Sequence, residues 1–269
     1  MASTKLIFTF EIAFFLSLFI SPSDSFWSYP PNDDGLKVSA IDSPKVNLSL
    51  YYDTLCQNCS TFIVTNLTEV FNNDLITIID LRLVPWANAY INKTNNAIVC
   101  QHGPDECLLN TLEACAINVW PDVNKHYAVI YCFQFLAIEG KHKDWKSCFD
   151  TLGLNKTSVL DCYISGNGTK LLQKYADETG HLSPPYRFVP WLVVNNQPLQ
   201  EDFKNFVTYV CKAYKGHLQI KACKSLPKEI NLDENANSIQ PLCNASEAKK
   251  MHGSPTASWM RHMKTEPLA

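Results

Sequence analysis

The fold is decided by residues 45–71, which read KVNLSLYYDTLCQNCSTFIVTNLTEVF. Apolar residues alternate from Val46 to Tyr52, a pattern that predicts a half-buried β-strand. Beyond Cys59 they recur at helical spacing, so we expect a helix to begin at about that cysteine. Free backbone N–H groups and the helix dipole favour the thiolate form of a cysteine at a helix start. Because the thiolate is the form that attacks disulfides, Cys56 and Cys59 are a candidate redox pair.

A Cys-x-x-Cys pair can also be a structural disulfide or half of a zinc site. Other parts of the sequence predict that the protein is exported, and this favours disulfide chemistry for the pair. Residues 1–25 carry one lysine, an apolar run and then small residues, which predicts a secretory signal peptide and not a membrane anchor. Eleven cysteines in an exported chain indicate a disulfide framework. Seven Asn-x-Ser/Thr sequons also favour a secreted glycoprotein: Asn47, Asn58, Asn66, Asn92, Asn155, Asn167 and Asn244.

Composition excludes several other classes of protein. The 269 residues are 46% hydrophobic and 18% charged with a net charge of −3, which is typical of a globular protein. That balance provides no basic surface for nucleic acid, and no segment after the signal peptide is apolar enough to anchor the chain in a membrane. Residues 26–44 are predicted to form an irregular arm. Residues 224–269 are polar, and we expect a mobile or removable tail there.

The intervening sequence predicts an α/β fold. Residues 75–84 are rich in β-branched side chains and predict a strand parallel to the first, which completes a β-α-β unit. Helical patterns bearing Cys132, Cys148 and Cys162 then occupy about 100–180, so we expect an α-helical insertion stapled by disulfides. A strand at 187–196, a short hairpin partner beginning at Pro198 and an amphipathic helix over 203–214 follow.

One segment of the insertion resembles a known family. Residues 100–115, CQHGPDECLLNTLEAC, match the signature of the gamma-interferon-inducible lysosomal thiol reductase (GILT) family. The resemblance extends from about Val46 to Cys223 and includes Val189-Pro190-Trp191. It departs at Gln57-Asn58, where the intervening pair helps to set the redox potential, and at Asn196, where the family more often has glycine. The matched signature positions are Cys100, Gln101, His102, Gly103, Glu106, Cys107, Asn110 and Cys115.

The resemblance implies a thioredoxin-like fold with a helical insertion over 45–223, and reduction of protein disulfides in an acidic lumen. It implies three catalytic residues, Cys56, Cys59 and Pro190. Cys56, which we expect to be the more exposed thiol, would attack the substrate, and Cys59 would resolve the mixed disulfide to leave Cys56–Cys59 oxidised. Pro190 resembles the cis-proline that faces the cysteine pair in this superfamily. The implied location is the secretory pathway, ending in the lysosome or vacuole or outside the cell.

No organic cofactor or metal is needed for this reaction, because the dithiol carries the electrons. The expected partners are disulfides of partly unfolded proteins and a small-thiol reductant such as cysteine or glutathione. Two alternatives remain at this point. One is a disulfide oxidase or isomerase on the same fold, and the other is a non-enzymatic, disulfide-rich binding glycoprotein in which Cys56–Cys59 is structural.

Proton transfer has no obvious carrier in the sequence. Thioredoxins bury an acid six residues before the first cysteine, and that position holds Leu50 here. His102 is either a proton relay or a residue that orients its loop through hydrogen bonds, and we expect the second.

The other cysteines of the signature are expected to form structural disulfides, rather than a metal site with His102. Nine cysteines remain once the redox pair is set aside, an odd number, so at least one is left over. Cys243, in the polar tail, is the expected candidate.

Overall fold

The computed structural model describes residues 44–224 and 243–244, so the predicted signal peptide and nearly all of the predicted arm lie outside the described residues. The strands are β1 (Val46–Tyr51), β2 (Ile79–Val84), β3 (Tyr90–Ile91), β4 (Ile98–Val99), β5 (Phe188–Val189), β6 (Trp191–Val194), β7 (Gln197–Pro198) and β8 (Cys243–Asn244). The α-helices are α1 (Gln57–Thr65), α2 (Glu69–Asn72), α3 (Pro104–Val119), α4 (Val123–Ile138), α5 (Lys146–Thr151), α6 (Thr157–Ile164), α7 (Asn167–Gly180), α8 (Phe206–Ala213) and α9 (Lys221–Lys224). Short 3₁₀ helices span Leu75–Thr77, His142–Asp144 and Gln200–Asn205.

The main sheet has the strand order β2-β1-β6-β7. Strand β1 pairs in parallel with β2, and α1 lies between them in the chain, so these elements form the predicted β-α-β unit. Strand β6 runs antiparallel to β1 and to β7. This α/β arrangement confirms the predicted thioredoxin-like fold class.

The second predicted strand is shorter than its sequence suggests. The composition predicts a strand over 75–84, but Leu75–Thr77 form a 3₁₀ helix and the strand begins at Ile79. Asp74 adopts a left-handed conformation with φ 59°, which turns the chain before the strand. Leu75 is fully buried, so the apolar character of this segment reflects packing in the core and not strand pairing.

The helical insertion has a hydrophobic core of its own. Helices α3 to α7 occupy Pro104 to Gly180, as predicted, and α3 packs against α4, α6 and α7. Two disulfides close this core, Cys115–Cys162 between α3 and α6 and Cys132–Cys148 between α4 and α5. The predicted disulfide-stapled insertion is therefore confirmed. The buried residues of this core are Leu109, Leu112, Cys115, Ala116, Val129, Phe133, Trp145, Cys148, Phe149, Val159 and Cys162.

The hairpin between β6 and β7 accounts for one departure from the family pattern. Asn195 and Asn196 both have positive φ, 45° and 65°. A two-residue hairpin with positive φ at both positions needs residues that tolerate the left-handed region, and asparagine is one of the few besides glycine that does so. The Asn195 side chain also accepts a hydrogen bond from the backbone N–H of Asn47 at 2.9 Å. Asn196 can therefore adopt the positive φ for which the family more often uses glycine.

The predicted tail lies largely outside the described residues, except for β8. Strand β8 pairs antiparallel with β5, with Val189 opposite Cys243. A part of the tail thus packs on the folded domain, next to the segment that precedes Pro190. Within 44–224 and 243–244, no helix has the length and apolar character needed to cross a membrane.

Candidate active site

The two cysteines of the candidate pair lie where β1 gives way to α1. Cys56 is the N-cap residue of α1, and its carbonyl accepts the backbone N–H of Ser60 at 2.9 Å. Cys59 lies in the first turn of the helix. The expectation that Cys56 would be the more exposed thiol is wrong, since both cysteines have 0% exposed surface. Cys56 is covered because Cys243 is bonded to it and the carbonyl oxygen of Val189 lies 4.0 Å from its Sγ.

Pro190 belongs to the same site. The Val189–Pro190 peptide bond is cis, and Val189 is the residue whose carbonyl lies against Cys56. The fold thus brings Pro190 beside Cys56, although the two residues are far apart in the sequence. The structure places the three predicted site residues, Cys56, Cys59 and Pro190, in one region of the molecule.

The disulfide pairing differs from the expected one. Cys56 is bonded to Cys243, and Cys59 is the free cysteine. The expectation that Cys243 would be left over is therefore wrong. The physical reason is the pairing of β8 with β5, which carries the Cys243 sulfur to Cys56 across a sequence separation of 187 residues.

The signature helix α3 holds the turn that leads into the cysteine pair. Glu106 is fully buried, and its carboxylate accepts a hydrogen bond from the backbone N–H of Leu55 at 3.3 Å. Asn110 accepts a hydrogen bond from the backbone N–H of Thr54 at 3.0 Å and another from the Thr54 hydroxyl. Two signature residues therefore bind consecutive residues of the Asp53–Cys56 turn and fix its conformation.

His102 has the orienting contact that we expected. Its ring Nδ1 lies 2.6 Å from the carboxylate of Glu106, which also accepts the His102 backbone N–H at 3.0 Å. This hydrogen bond to Glu106, followed by the charge of the same carboxylate, raises the pKa of His102 above its ordinary value. His102 thus fixes the orientation of the carboxylate that binds Leu55.

The remaining signature cysteines are in disulfides. Cys100 pairs with Cys107 and Cys115 pairs with Cys162. They are structural partners, as expected, and the alternative of a metal site made by these thiols with His102 is wrong.

Comparison with known proteins agrees with this geometry. The family model "Gamma interferon inducible lysosomal thiol reductase (GILT)" matches residues 47–152. A gamma-interferon-responsive lysosomal thiol protein of Arabidopsis thaliana is 42% identical over 187 residues, which cover 68% of this chain and 77% of the relative. The chain belongs to the GILT family. A gamma-interferon-inducible lysosomal thiol reductase of Mus musculus is 31% identical, with 68% and 74% coverage, and one of Carassius auratus is 33% identical, with 71% and 77% coverage.

As a member of the GILT family the chain is a thiol-disulfide oxidoreductase, so the alternative of a non-enzymatic binding glycoprotein is wrong. Solved structures of lower similarity include the DsbA of Chlamydia trachomatis, with a TM-score of 0.44 and 13% identity over 68% of this chain and 97% of that one.

This GILT-family site contains a buried acid that the sequence analysis missed. Asp53 is fully buried and accepts hydrogen bonds from the backbone N–H groups of Ala87 and Asn88 at 3.3 and 3.0 Å. Burial, with a smaller contribution from the charge of Glu106, raises the pKa of Asp53 to about 7. The only sequence signal was an acid at the end of an apolar strand, three residues before Cys56.

The free thiol of Cys59 is influenced by Asp53 through a backbone hydrogen bond and through charge. Burial raises the pKa of Cys59 well above its ordinary value, and a hydrogen bond with the Asp53 backbone opposes that shift. The negative charges of Asp53 and Glu106 raise the pKa of Cys59 further. Cys59 is thus held as a neutral thiol next to a carboxyl group that titrates near neutrality.

A second buried carboxyl is linked to α1 by hydrogen bonds. Glu113 of α3 is fully buried, and burial raises its pKa to about 8. The hydroxyl of Tyr52 donates to its carboxylate at 2.6 Å and the amide of Gln134 donates at 2.9 Å. Gln134 in turn accepts from the hydroxyl of Ser60, the residue after Cys59, at 2.7 Å. This hydrogen-bond network connects the helical insertion to the first turn of α1.

Proposed function

We propose that this oxidoreductase reduces disulfide bonds of partly unfolded proteins through the Cys56–Cys59 dithiol in an acidic lumen. The observation that carries the proposal is the state of the two cysteines. Cys56, the N-cap of α1, is already joined in a disulfide to a cysteine of another segment, and Cys59 remains a thiol in the first turn of the helix. A dithiol reductase needs these two groups. The first is a cysteine that forms a disulfide with a partner sulfur, and the second is a thiol that can displace that partner.

The first step is attack by Cys56. The reduced Cys56 thiolate forms a bond to one sulfur of the substrate disulfide, and the other substrate sulfur leaves as a thiolate that takes up a proton. The position of Cys56 at the N-terminus of α1 supports its role as the attacking cysteine, because the helix dipole and free N–H groups stabilise a thiolate there. The edge of β5 supplies main-chain groups for an extended substrate segment beside Cys56. Pro190, which follows β5, has no N–H and ends that pairing.

The second step is release of the substrate by Cys59. Cys59 loses its proton to the ionised form of Asp53, a small fraction in acid that grows as pH rises toward 7. Cys59 then attacks Cys56, which frees the second substrate thiol and leaves Cys56–Cys59 oxidised. Asp53 supplies the acid that the sequence lacks at Leu50. A small thiol such as cysteine or glutathione then supplies two electrons, one from each of two molecules, and restores the dithiol. The structural features give no reason to favour oxidation or isomerisation over reduction, and the family relatives are thiol reductases.

Several features support an acidic location. The curated relatives are named as lysosomal proteins, and the sequence predicts a signal peptide and glycosylation. The pKa of Glu113, about 8, keeps this buried carboxyl neutral in acid, where it needs no compensating charge.

The direct experiment is reduction of dye-quenched insulin by the purified full-length protein with cysteine as reductant. We expect catalysed reduction at pH 5, where free thiols react slowly because an ordinary cysteine has a pKa of about 8.5. The control is the same protein after reduction and complete alkylation. Rates equal to that control at every pH from about 4.5 to about 7.5 would contradict the proposed function.

Replacement of Asp53 by asparagine should slow the second step selectively. Asparagine keeps the shape of the side chain but cannot take the proton of Cys59, and proton transfer of this kind contributes about 10²–10⁴-fold to a rate. We expect slower decay of the enzyme–substrate mixed disulfide, and loss of its acceleration as pH rises toward 7, while iodoacetamide reacts with reduced Cys56 at the wild-type rate. Equal slowing of both reactions would indicate a structural role. Asp80→Asn, at an exposed position of β2, is the matched control.

A further inference from the structure

We propose that Cys243 is a third redox-active cysteine, which takes the place of a substrate in an internal mixed disulfide with Cys56 until Cys59 or an external thiol expels it. The proposal rests on the proposed function, because it requires Cys56 to be the attacking cysteine. It adds a residue of the polar tail to the redox site.

The first observation is that Cys243 is the cysteine bonded to Cys56. All eleven cysteines lie within the described residues, and ten of them are in disulfides. The other four disulfides join cysteines separated by 7 to 47 residues, in or next to the helices that they connect. Only Cys243 comes from far along the chain, and it is bonded to the cysteine at the start of α1, with the free thiol of Cys59 three residues away.

The second observation is how the segment that carries Cys243 is held. Its main chain pairs antiparallel with β5, so that Cys243 lies opposite Val189. The side-chain amide of Asn88 donates a hydrogen bond to the carbonyl of Cys243 at 3.2 Å. These contacts are made to main-chain groups, which any extended peptide offers. A segment bound this way, with its cysteine on Cys56, has the arrangement that the substrate mixed disulfide requires.

Asn88 provides further support for a site that is completed by a bound peptide. It is buried, with 3% of its surface exposed, and its amide also donates to Gln101 at 2.7 Å. Its Oδ1, however, has no hydrogen-bond partner among the described residues. Buried polar atoms are normally satisfied, so this side chain still has room for a partner beyond residues 44–224 and 243–244.

Expulsion of Cys243 by Cys59 is a balanced exchange. Cys59 gives its proton to the ionised form of Asp53, the Cys59 sulfur bonds to Cys56, and the Cys56–Cys243 bond breaks. Cys243 leaves as a thiolate and takes up a proton. One disulfide is lost and one is formed, so no outside oxidant or reductant is needed. Opening by an external thiol instead consumes two small-thiol molecules, which become a disulfide while Cys56 and Cys243 become thiols.

The consequence is competition within the molecule. A segment of the same chain reaches the site at a high effective concentration, so it competes with protein substrates for Cys56 and for the edge of β5. Removal of the Cys243 thiol should therefore raise the rate at low concentrations of a protein substrate.

The test maps disulfides in the oxidised wild-type protein, so it needs no variant that could misfold. The protein is equilibrated with a graded series of reduced and oxidised glutathione, quenched in acid, alkylated and digested for mass spectrometry. We expect both Cys56–Cys243 and Cys56–Cys59 peptides, with a ratio that relaxes to one equilibrium value after a jump from acidic to neutral pH. The Cys211–Cys223 disulfide is the internal control and should stay intact under the same conditions.

A second measurement uses Cys243→Ser in insulin reduction. We expect a rate several-fold above wild type at low insulin concentration and a smaller difference at saturation. If every oxidised molecule has Cys56–Cys59 and a free Cys243, and insulin is reduced normally, this inference is wrong but the proposed function stands. If Cys56–Cys243 resists glutathione as Cys211–Cys223 does, and no insulin is reduced, both fail together.

Discussion

Serine in place of Cys56 should reduce the rate of protein-disulfide reduction to that of the small thiol alone. No other described cysteine can replace it: Cys59 is buried with its pKa raised well above the ordinary value, and Cys243 loses the sulfur that holds it at the site. The remaining cysteines of the domain are in disulfides. Serine at 59 should also abolish turnover, but for a different reason, since the nucleophile remains and only release is lost. The measurement is insulin reduction at pH 5 together with iodoacetamide labelling of reduced protein.

The two variants should therefore differ in labelling even though both are inactive. Cys59→Ser keeps the rapid alkylation of Cys56, and Cys56→Ser loses it. The matched control is the double variant Cys211→Ser, Cys223→Ser, which removes a disulfide between α8 and α9 and leaves the site unchanged. Full insulin reduction by Cys56→Ser would show that the pair is not the redox centre.

The free energy of unfolding should decrease by several kcal/mol between about pH 4.5 and about pH 8. The pKa of Asp53 rises on folding from 3.8 to about 7, and that of Glu113 from 4.5 to about 8, mainly because both are buried. Each folded carboxyl holds its proton at pH values where the unfolded chain has lost it. Their contribution is fully present below about pH 4 and is lost as pH rises through about 7 to 8. One pKa unit corresponds to about 1.4 kcal/mol, which gives the expected size.

The two histidines with shifted pKa values modify this trend in opposite directions. The pKa of His102 is raised by its hydrogen bond to Glu106, so it adds to the loss of stability as pH increases. Burial lowers the pKa of His126, so its contribution is lost as pH falls instead. The carboxyls dominate because their shifts are the larger ones.

Guanidinium unfolding followed by tryptophan fluorescence at several pH values measures the effect. Glu113→Gln should remove much of the pH dependence, because the amide has nearly the shape of the carboxyl and cannot ionise, and its oxygen can still accept from Gln134. Asp80→Asn changes an exposed carboxyl and serves as the control. A stability that is constant or increases over the same pH range would contradict the assignment of neutral buried carboxyls.

Local patterns predicted the fold and the position of the cysteine pair. The alternation of apolar residues in β1 and their helical spacing in α1 involve residues that are close in the sequence, so both patterns can be seen in the sequence directly. The segment at Leu75–Thr77 was assigned wrongly because a composition rich in apolar and β-branched residues does not distinguish a 3₁₀ turn with one buried side chain, Leu75, from a strand.

Long-range contacts could not be predicted in this way. Nothing near Cys243 in the sequence indicates that its backbone pairs with β5, and so its bond to Cys56 could be found only from the structure. The buried acid Asp53 was missed for a related reason, since its pKa depends on burial and on the charge of Glu106, which lies in α3.

The most direct test of the account is covalent capture of substrate on Cys56. A Cys59→Ser, Cys243→Ser double variant retains the attacking cysteine but lacks both thiols that could displace a bound substrate. Incubated at pH 5 with an unfolded disulfide-containing protein, it should accumulate a mixed disulfide that mass spectrometry assigns to Cys56 and that dithiothreitol removes. The matched Cys56→Ser, Cys243→Ser variant should capture nothing. Equal capture by both variants, or none by either, would contradict the assignment of Cys56 as the cysteine that attacks substrate.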